Sequence, residues 1–290
     1  MDLNYLLSRK AIDTKKSKVL VMRHVPTQPG VRRALPWLAA DKPEVFNAYQ
    51  QSQTPKAEKQ LMQAAYLVSF IGHEPGEAVF VGVYRVAGHK PISYDQFMKK
   101  PANGVLRGLG VEFFENDSSP HIWFDLELTD AYEDWKGKLI VAWPPPGIAW
   151  TRWADRNEFP VKAILEENML VKAMPGSDEL GLTWGELDNL PRSWVHRLCQ
   201  WRGIYFILDG ADGKGYVGSA YGEKNLYGRW KNYAEKGDGG NKLLRDRAPD
   251  KFRFSILELV SPTETQDEVC RREKNWKDRL HTREFGLNAN

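Results

Sequence analysis

Cysteine is scarce in this chain, and its scarcity excludes much. Cys199 and Cys270 are the only two, they lie far apart and form no CxxC pair. A disulfide framework and a cysteine zinc site are therefore both excluded, and the two are expected as buried thiols. Histidine is nearly as rare, with six in all, and His24, His73 and His89 show neither HxH nor HxxxH spacing, so no metal site is expected from them. No run of about eighteen apolar residues occurs, which leaves no candidate membrane span. Met1 to Lys10 has no charged segment followed by an apolar stretch and a small-residue cleavage site, so the expected location is the cytoplasm. No GxxxxGK appears, and an enzyme acting on a small molecule through an aromatic pocket in the N-terminal part of the chain has least support. Internal repeats and low-complexity tracts are absent as well.

A strong charge of one sign is also missing, since the net charge is only +3. Its placement says a little more. Residues 201–290 carry 17 Lys and Arg against 14 Asp and Glu, while the remainder balances at 24 against 24. The whole excess sits at the C-terminal end, which would suit a polyanion, although an excess of three is also common in proteins that bind none. With 290 residues, 42% of them hydrophobic and 27% charged, the chain is long enough for two domains with separate cores.

Along the first two hundred residues, Lys18-Val-Leu-Val-Met-Arg23 reads as a strand. Pro55 to Val68 reads as a helix from the spacing of Leu61, Ala64, Ala65 and Val68. Glu77 to Val86, Ile122 to Leu128 and Lys138 to Trp143 read as further strands. Pro144-Pro-Pro-Gly147 ends the last of these, and a tryptophan-rich loop follows. Thr183 to Cys199 is helical or loop material, with Pro191 a helix start and a domain boundary near Gln200. The expected architecture is α+β with two domains: a β-rich mixed domain over residues 1–195 and a smaller α/β domain over 200–290.

The second domain opens on a hairpin pattern, Gly203-Ile-Tyr-Phe-Ile-Leu-Asp-Gly-Ala-Asp-Gly-Lys-Gly-Tyr-Val-Gly218, two apolar runs joined by a loop with Asp-Gly twice. After it come Leu226-Tyr-Gly-Arg-Trp230, with Arg229 and Tyr233 on one helical face. Then follow an alternating run, Lys251 to Val260, the charged stretch Cys270 to Leu280 and the terminal Gly286-Leu-Asn-Ala-Asn290. In this order the residues resemble the GIY-YIG nuclease family. Gly203-Ile204-Tyr205 and Tyr216-Val217-Gly218 match the two halves of its motif, and the likeness covers about the last third of the chain. Singly, the two tyrosines read as hairpin aromatics, Arg229 as a surface charge, and Glu273 as a solvated helix residue set to pair with Lys277.

The resemblance implies a small antiparallel sheet flanked by helices and metal-dependent hydrolysis of a phosphodiester. Such hydrolysis needs an activated water, relief of charge on the phosphate and a stabilised leaving oxygen. In the family, one divalent ion, magnesium or manganese, is held by a carboxylate, here Glu273, with waters completing its shell. Arg229 would fork onto phosphate oxygens. Tyr205 and Tyr216 would set hydroxyls beside the attacking water, one of them as general base, although a free phenol titrates near 10. Tyr233 would bond a phosphate or the other hydroxyls, and Asn288 would hold Glu273 or the backbone. Related proteins often carry a histidine where this chain has Asp238, which puts rate and pH optimum in question.

DNA is the implied partner, with Lys231, Lys242, Arg245 and Arg247 expected on its backbone. Arg23, Arg32 and Arg33 are either phosphate contacts or solvated charges. Nucleases of this kind draw target choice from an attached domain, so residues 1–195 are expected to supply it. Their centre is faintly similar to PUA-like domains that receive a flipped base, and Trp150 and Trp153 could line such a pocket or simply pack in a core. Restriction of foreign or modified DNA is the expected setting. The alternatives are repair and a binding module that keeps the fold without cutting. One such site cuts one strand, so a double-strand break needs a homodimer, two visits or a partner.

Overall fold

In the computed structural model, which describes residues 1–111, 121–171, 173–236, 243–245 and 247–289, the chain parts at Lys172 and Ala173 into two units. The first runs α1 (Leu3–Arg9), β1 (Val19–His24), α2 (Pro29–Asp41), α3 (Pro43–Gln51), α4 (Pro55–Leu61), β2 (Tyr66–Gly72) and β3 (Glu77–Ile92). It continues with α5 (Tyr94–Met98), α6 (Pro101–Gly108), β4 (His121–Leu128), β5 (Leu139–Ala142), β6 (Thr151–Trp153) and β7 (Val161–Ile164). Proline opens α2, α3, α4 and α6, where its missing N–H costs nothing and its fixed φ already suits a helix.

These strands form one mixed sheet in the order β6-β1-β2-β3-β5-β7, with β4 also paired to β3. β1 and β2 run parallel and are covered on both faces, hence their continuous apolar sequences. Alternate residues serve opposite cores. Val19, Val21, Val68 and Phe70 join one cluster with Phe80 and Trp143, and Leu20, Met22 and Leu67 join another with Tyr84 and Phe124. The helix expected over Pro55 to Val68 ends at Leu61, and Val68 lies in β2. Of the residues that gave the helical spacing, Leu61 and Ala64 face one cluster, Ala65 is exposed and Val68 faces the other cluster, so a helix, a turn and a strand only imitate one amphipathic helix.

The second unit contains β8 (Gly181–Thr183), α7 (Trp184–Leu187), α8 (Arg192–Gln200), β9 (Arg202–Asp209), β10 (Gly215–Ala220), α9 (Asn225–Lys236), β11 (Phe252–Val260) and α10 (Gln266–Arg279). Its sheet is antiparallel in the order β10-β9-β11-β8. The boundary expected near Gln200 falls inside this unit, because β8 pairs with β11 and the Trp184 indole donates to the Ala234 carbonyl of α9 at 3.1 Å. Ile204 and Val217 meet Val269 of α10 on one face, leaving Tyr205 and Tyr216 to the other. Cys199 is half-buried and Cys270 exposed, not the buried thiols expected, since α10 turns the face bearing Cys270 to solvent.

Candidate active site

Two glycines prepare the hairpin. A Cβ at Gly203 would lie 2.5 Å from the Glu258 carbonyl oxygen of β11, and one at Gly218 would collide with the Tyr205 hydroxyl. Only glycine lets β9 and β11 approach at the first position and lets the Tyr205 ring lie across β10 at the second. Tyr205 is fully buried as a result.

Tyr233 reaches the same point from α9. Its hydroxyl accepts from Tyr205 Oη at 3.1 Å and donates to Tyr216 Oη at 3.1 Å. One turn earlier on that helix, Arg229 Nη2 lies 3.4 Å from the Tyr233 hydroxyl, and its guanidinium sits 5.6 Å from the ring centroid, within cation–π range. Tyr205, Tyr216 and Tyr233 all have their hydroxyls pushed above the ordinary phenol range, with burial the first cause in each. For Tyr205, neighbouring Tyr216 adds to the rise and Arg229 opposes it. Arg229 is held above its own ordinary value, chiefly by Tyr205, and stays charged.

Glu273 comes from α10. One carboxylate oxygen accepts from Ser219 Oγ on β10, and the other pairs with Lys277 Nζ at 2.8 Å, one turn along the helix. Lys277 is buried, which makes this a fixed pair rather than a solvated one. The Glu273 charge reaches across β10 and contributes to raising Tyr216. Ser219 escaped the sequence reading. Its only signal was a small polar residue directly after the second tripeptide, on a strand buried throughout.

Asn288 does not touch Glu273. Its amide clasps the outer edge of β10: Nδ2 donates to the Val217 carbonyl at 2.8 Å, and Oδ1 accepts from the Val217 N–H at 2.9 Å. The Leu287 N–H adds a bond to the Gly215 carbonyl at 2.8 Å. The chain end thus covers the sheet edge at the strand carrying Tyr216.

The other candidates are placed differently. Lys231 pairs with Asp188. Arg247 bridges Asp209 at 2.6 Å and Asp212 at 2.9 Å, so it braces the β9–β10 turn and is not a spare cation. Arg245 is exposed, while Lys242 and Asp238 lie outside the described residues. Trp150 and Trp153 belong to the first unit, where both pack half-buried against the cluster of Leu20, Met22 and Phe124.

Among the described residues no three His, Cys, Asp or Glu side chains gather at one point. Glu273 suits a cation that keeps most of its waters, because each of its oxygens accepts one bond here and a carboxylate offers about four lone-pair sites.

Residues 202–288 match the family model of the GIY-YIG catalytic domain. Among solved structures the chain is similar to the catalytic domain of the homing endonuclease I-TevI, at 32% identity over 31% of this chain and 98% of that one, with a TM-score of 0.26. It is likewise similar to a point mutant of the catalytic domain of intron endonuclease I-TevI, at 32% identity over 31% of this chain and 94% of that one, with a TM-score of 0.27. No curated protein matches the chain.

Proposed function

Since residues 202–288 make this chain a member of the GIY-YIG family, we propose that it is a DNA endonuclease that hydrolyses phosphodiester bonds with one divalent ion, magnesium or manganese. The observation that carries this reading is the convergence of Tyr205, Tyr216, Tyr233 and Arg229 on one face of β10, with Glu273 fixed beside the same strand. A bound ion would be held by Glu273, and it would offset charge on the phosphate and favour ionisation of a nearby water.

The chain's own residues divide the remaining work. Arg229 stays protonated and presents a fork that suits two phosphate oxygens. The hydroxyls of Tyr205, Tyr216 and Tyr233 form one chain that is open at Tyr216, and once a phenol of the chain has released its own proton to solvent the phenolate can take up the proton of an attacking water there. With all three phenols above their usual range, that proton leaves readily only when positive charge faces the hydroxyls. Arg229 supplies part of that charge. Ser219 and Lys277 hold the Glu273 carboxylate in one orientation, and Asn288 keeps the backbone of β10 from shifting.

Target choice falls in this reading to the first unit, Met1–Lys172, and the setting is restriction of foreign or modified DNA. A role in receiving a base, as in PUA-like domains, is the version that modified DNA tests. The experiment is cleavage of unmodified and cytosine-modified plasmid, with magnesium or with a chelator, by the intact protein and by Glu273→Ala. Supercoil loss is expected to need both metal and glutamate, and a preference for one plasmid would assign recognition to the first domain. DNA that is bound yet left whole in every condition would replace the nuclease with a binding module.

A further inference from the structure

Pro144 to Trp150 joins β5 to β6 in the first unit, and side chains and backbone close it down at nearly every carbonyl. Arg23 Nη2 donates to the Gly147 carbonyl, and Arg152 Nη2 donates to those of Pro146 at 3.1 Å and Pro144 at 3.4 Å. The Trp143 indole donates to Ala149 at 2.9 Å, the Ala149 N–H to Pro146 at 3.1 Å, and the Arg23 N–H to Trp150 at 2.7 Å. What this bracing holds out is apolar: Ile148 is 89% exposed, more than Phe285 at 75% or Met1 at 66%. A loose loop could fold such a side chain back and recover most of its transfer free energy. This loop is bonded too closely to do so.

The two arginines beneath it lie together without a carboxylate. Among the described residues neither Arg23 nor Arg152 forms an ion pair with one, whereas Arg85, Arg247, Arg272 and Arg283 do. Their bonds run to carbonyl oxygens alone, and both Nε atoms are buried without an acceptor. Arg23 is 8% exposed and stacks on Trp143 at 4.9 Å. Burial first, and then the like charge of Arg152, hold it below its ordinary value. Two like charges without a counter-ion, under a rigid tip that presents an aliphatic side chain, match what a bent or opened duplex offers: phosphates on the outside and a base step that an apolar wedge can enter.

We propose that the Pro144–Trp150 loop is a DNA-contacting wedge, with Ile148 entering a base step while Arg23 and Arg152 provide counter-charge to the flanking phosphates. The choice of duplex DNA as the ligand rests on the nuclease reading above. The site itself lies wholly in the first unit and uses none of the residues that reading assigns to catalysis.

The test uses the full chain in chelator, so that binding is read without cleavage. Affinity for a fluorescent duplex is measured by anisotropy over a series of salt concentrations, together with unwinding of a relaxed plasmid in the presence of a topoisomerase. Ile148→Ser is expected to weaken binding about tenfold and to abolish unwinding without changing the salt dependence, while Ile148→Leu stays near wild type. Arg152→Gln is expected to lower the slope of log affinity against log salt by about one, and Arg152→Lys to restore it. Because Ile148 is exposed, its replacement does not threaten folding, and wild-type affinity and unwinding in Ile148→Ser overturn the proposal whatever the arginine variants do. Absence of DNA binding by the wild type overturns it too. If the wild type binds, unwinds and responds to Ile148→Ser but leaves DNA uncut with magnesium, the wedge stands and the nuclease reading fails.

Discussion

Replacing Tyr233 with phenylalanine removes one oxygen from the centre of the hydroxyl chain and little else. The ring keeps its contacts with Tyr205 and Tyr216, whose centroids lie 6.1 and 5.7 Å away. Tyr205, fully buried, loses the acceptor for its O–H, and an orphaned buried donor costs about 1–3 kcal/mol. Tyr216 loses only a bond it accepted, worth about 0.5–1 kcal/mol. Tyr233→Phe is therefore expected to destabilise the second unit by about 2–3 kcal/mol. Tyr205→Phe is expected to cost less, about 1 kcal/mol, because Tyr233 can still donate to Tyr216. In the double variant the orphan no longer exists, so the combined loss should fall short of the sum by about 1 kcal/mol. Hydrogen exchange of the β9 and β10 amides, read by mass spectrometry, reports opening of this unit apart from the other. Additivity to within about 0.3 kcal/mol, or a milder effect from Tyr233→Phe than from Tyr205→Phe, would refute the hub assigned to Tyr233.

Asn288→Ala should leave both Val217 backbone groups without partners and cost about 2–4 kcal/mol, seen as faster exchange along β10. Asn288→Asp should be no milder despite its shape, since it keeps the acceptor for the Val217 N–H but turns an oxygen towards the Val217 carbonyl; wild-type exchange in Asn288→Asp would contradict the clasp. Single-turnover cleavage should rise about tenfold per pH unit up to about pH 9 if a buried phenol is the base, and a plateau below about pH 8 would point to a different group. His24 is buried and depressed by that burial to about 4, whereas unfolded it titrates near 6.5. Between those values the unfolded chain binds the extra proton, so stability is full above about pH 6.5 and falls as pH drops towards 4, by about 3 kcal/mol in all. Urea unfolding at several pH values checks this, and a His24→Gln variant with the same acid sensitivity would remove His24 as the cause.

The two units were unequally legible in the sequence, for physical reasons. Arg229 and Tyr233 could be placed on one face because helical spacing is unambiguous over a single turn. The hairpin could be placed because Asp-Gly and strand alternation agree. Glu273 could be placed on its helix with Lys277 one turn along, but not with its other holder: Ser219 comes from a strand far away in sequence, and no spacing rule links the two. In the first unit the apolar period misled. Leu61, Ala64, Ala65 and Val68 stand at helical spacing, yet they come from a helix, a turn and a strand, and only the first two share a cluster; spacing alone does not separate that case from one helix. The proline-led helices α2 and α3 were missed although their start signal was present at Pro29 and Pro43. The tryptophans suggested a pocket where packing was the commoner outcome.

The short motif was readable because each of its letters answers to one atom. Gly203 is set by a carbonyl of β11 and Gly218 by the Tyr205 hydroxyl, so each glycine makes room for a neighbour before any chemistry is considered. Tyr205 can lie buried across β10 only because Gly218 has no side chain, and only from there does it reach Tyr233. The chain of hydroxyls is thus a consequence of backbone approach at two points. Arg229 and the chain end at Asn288 act on the same strand from its two sides, one through Tyr233 and the other through Val217. A site of this kind tolerates little movement of β10. That explains why a buried amide spends its hydrogen bonds on the edge of that strand rather than on the carboxylate beside it.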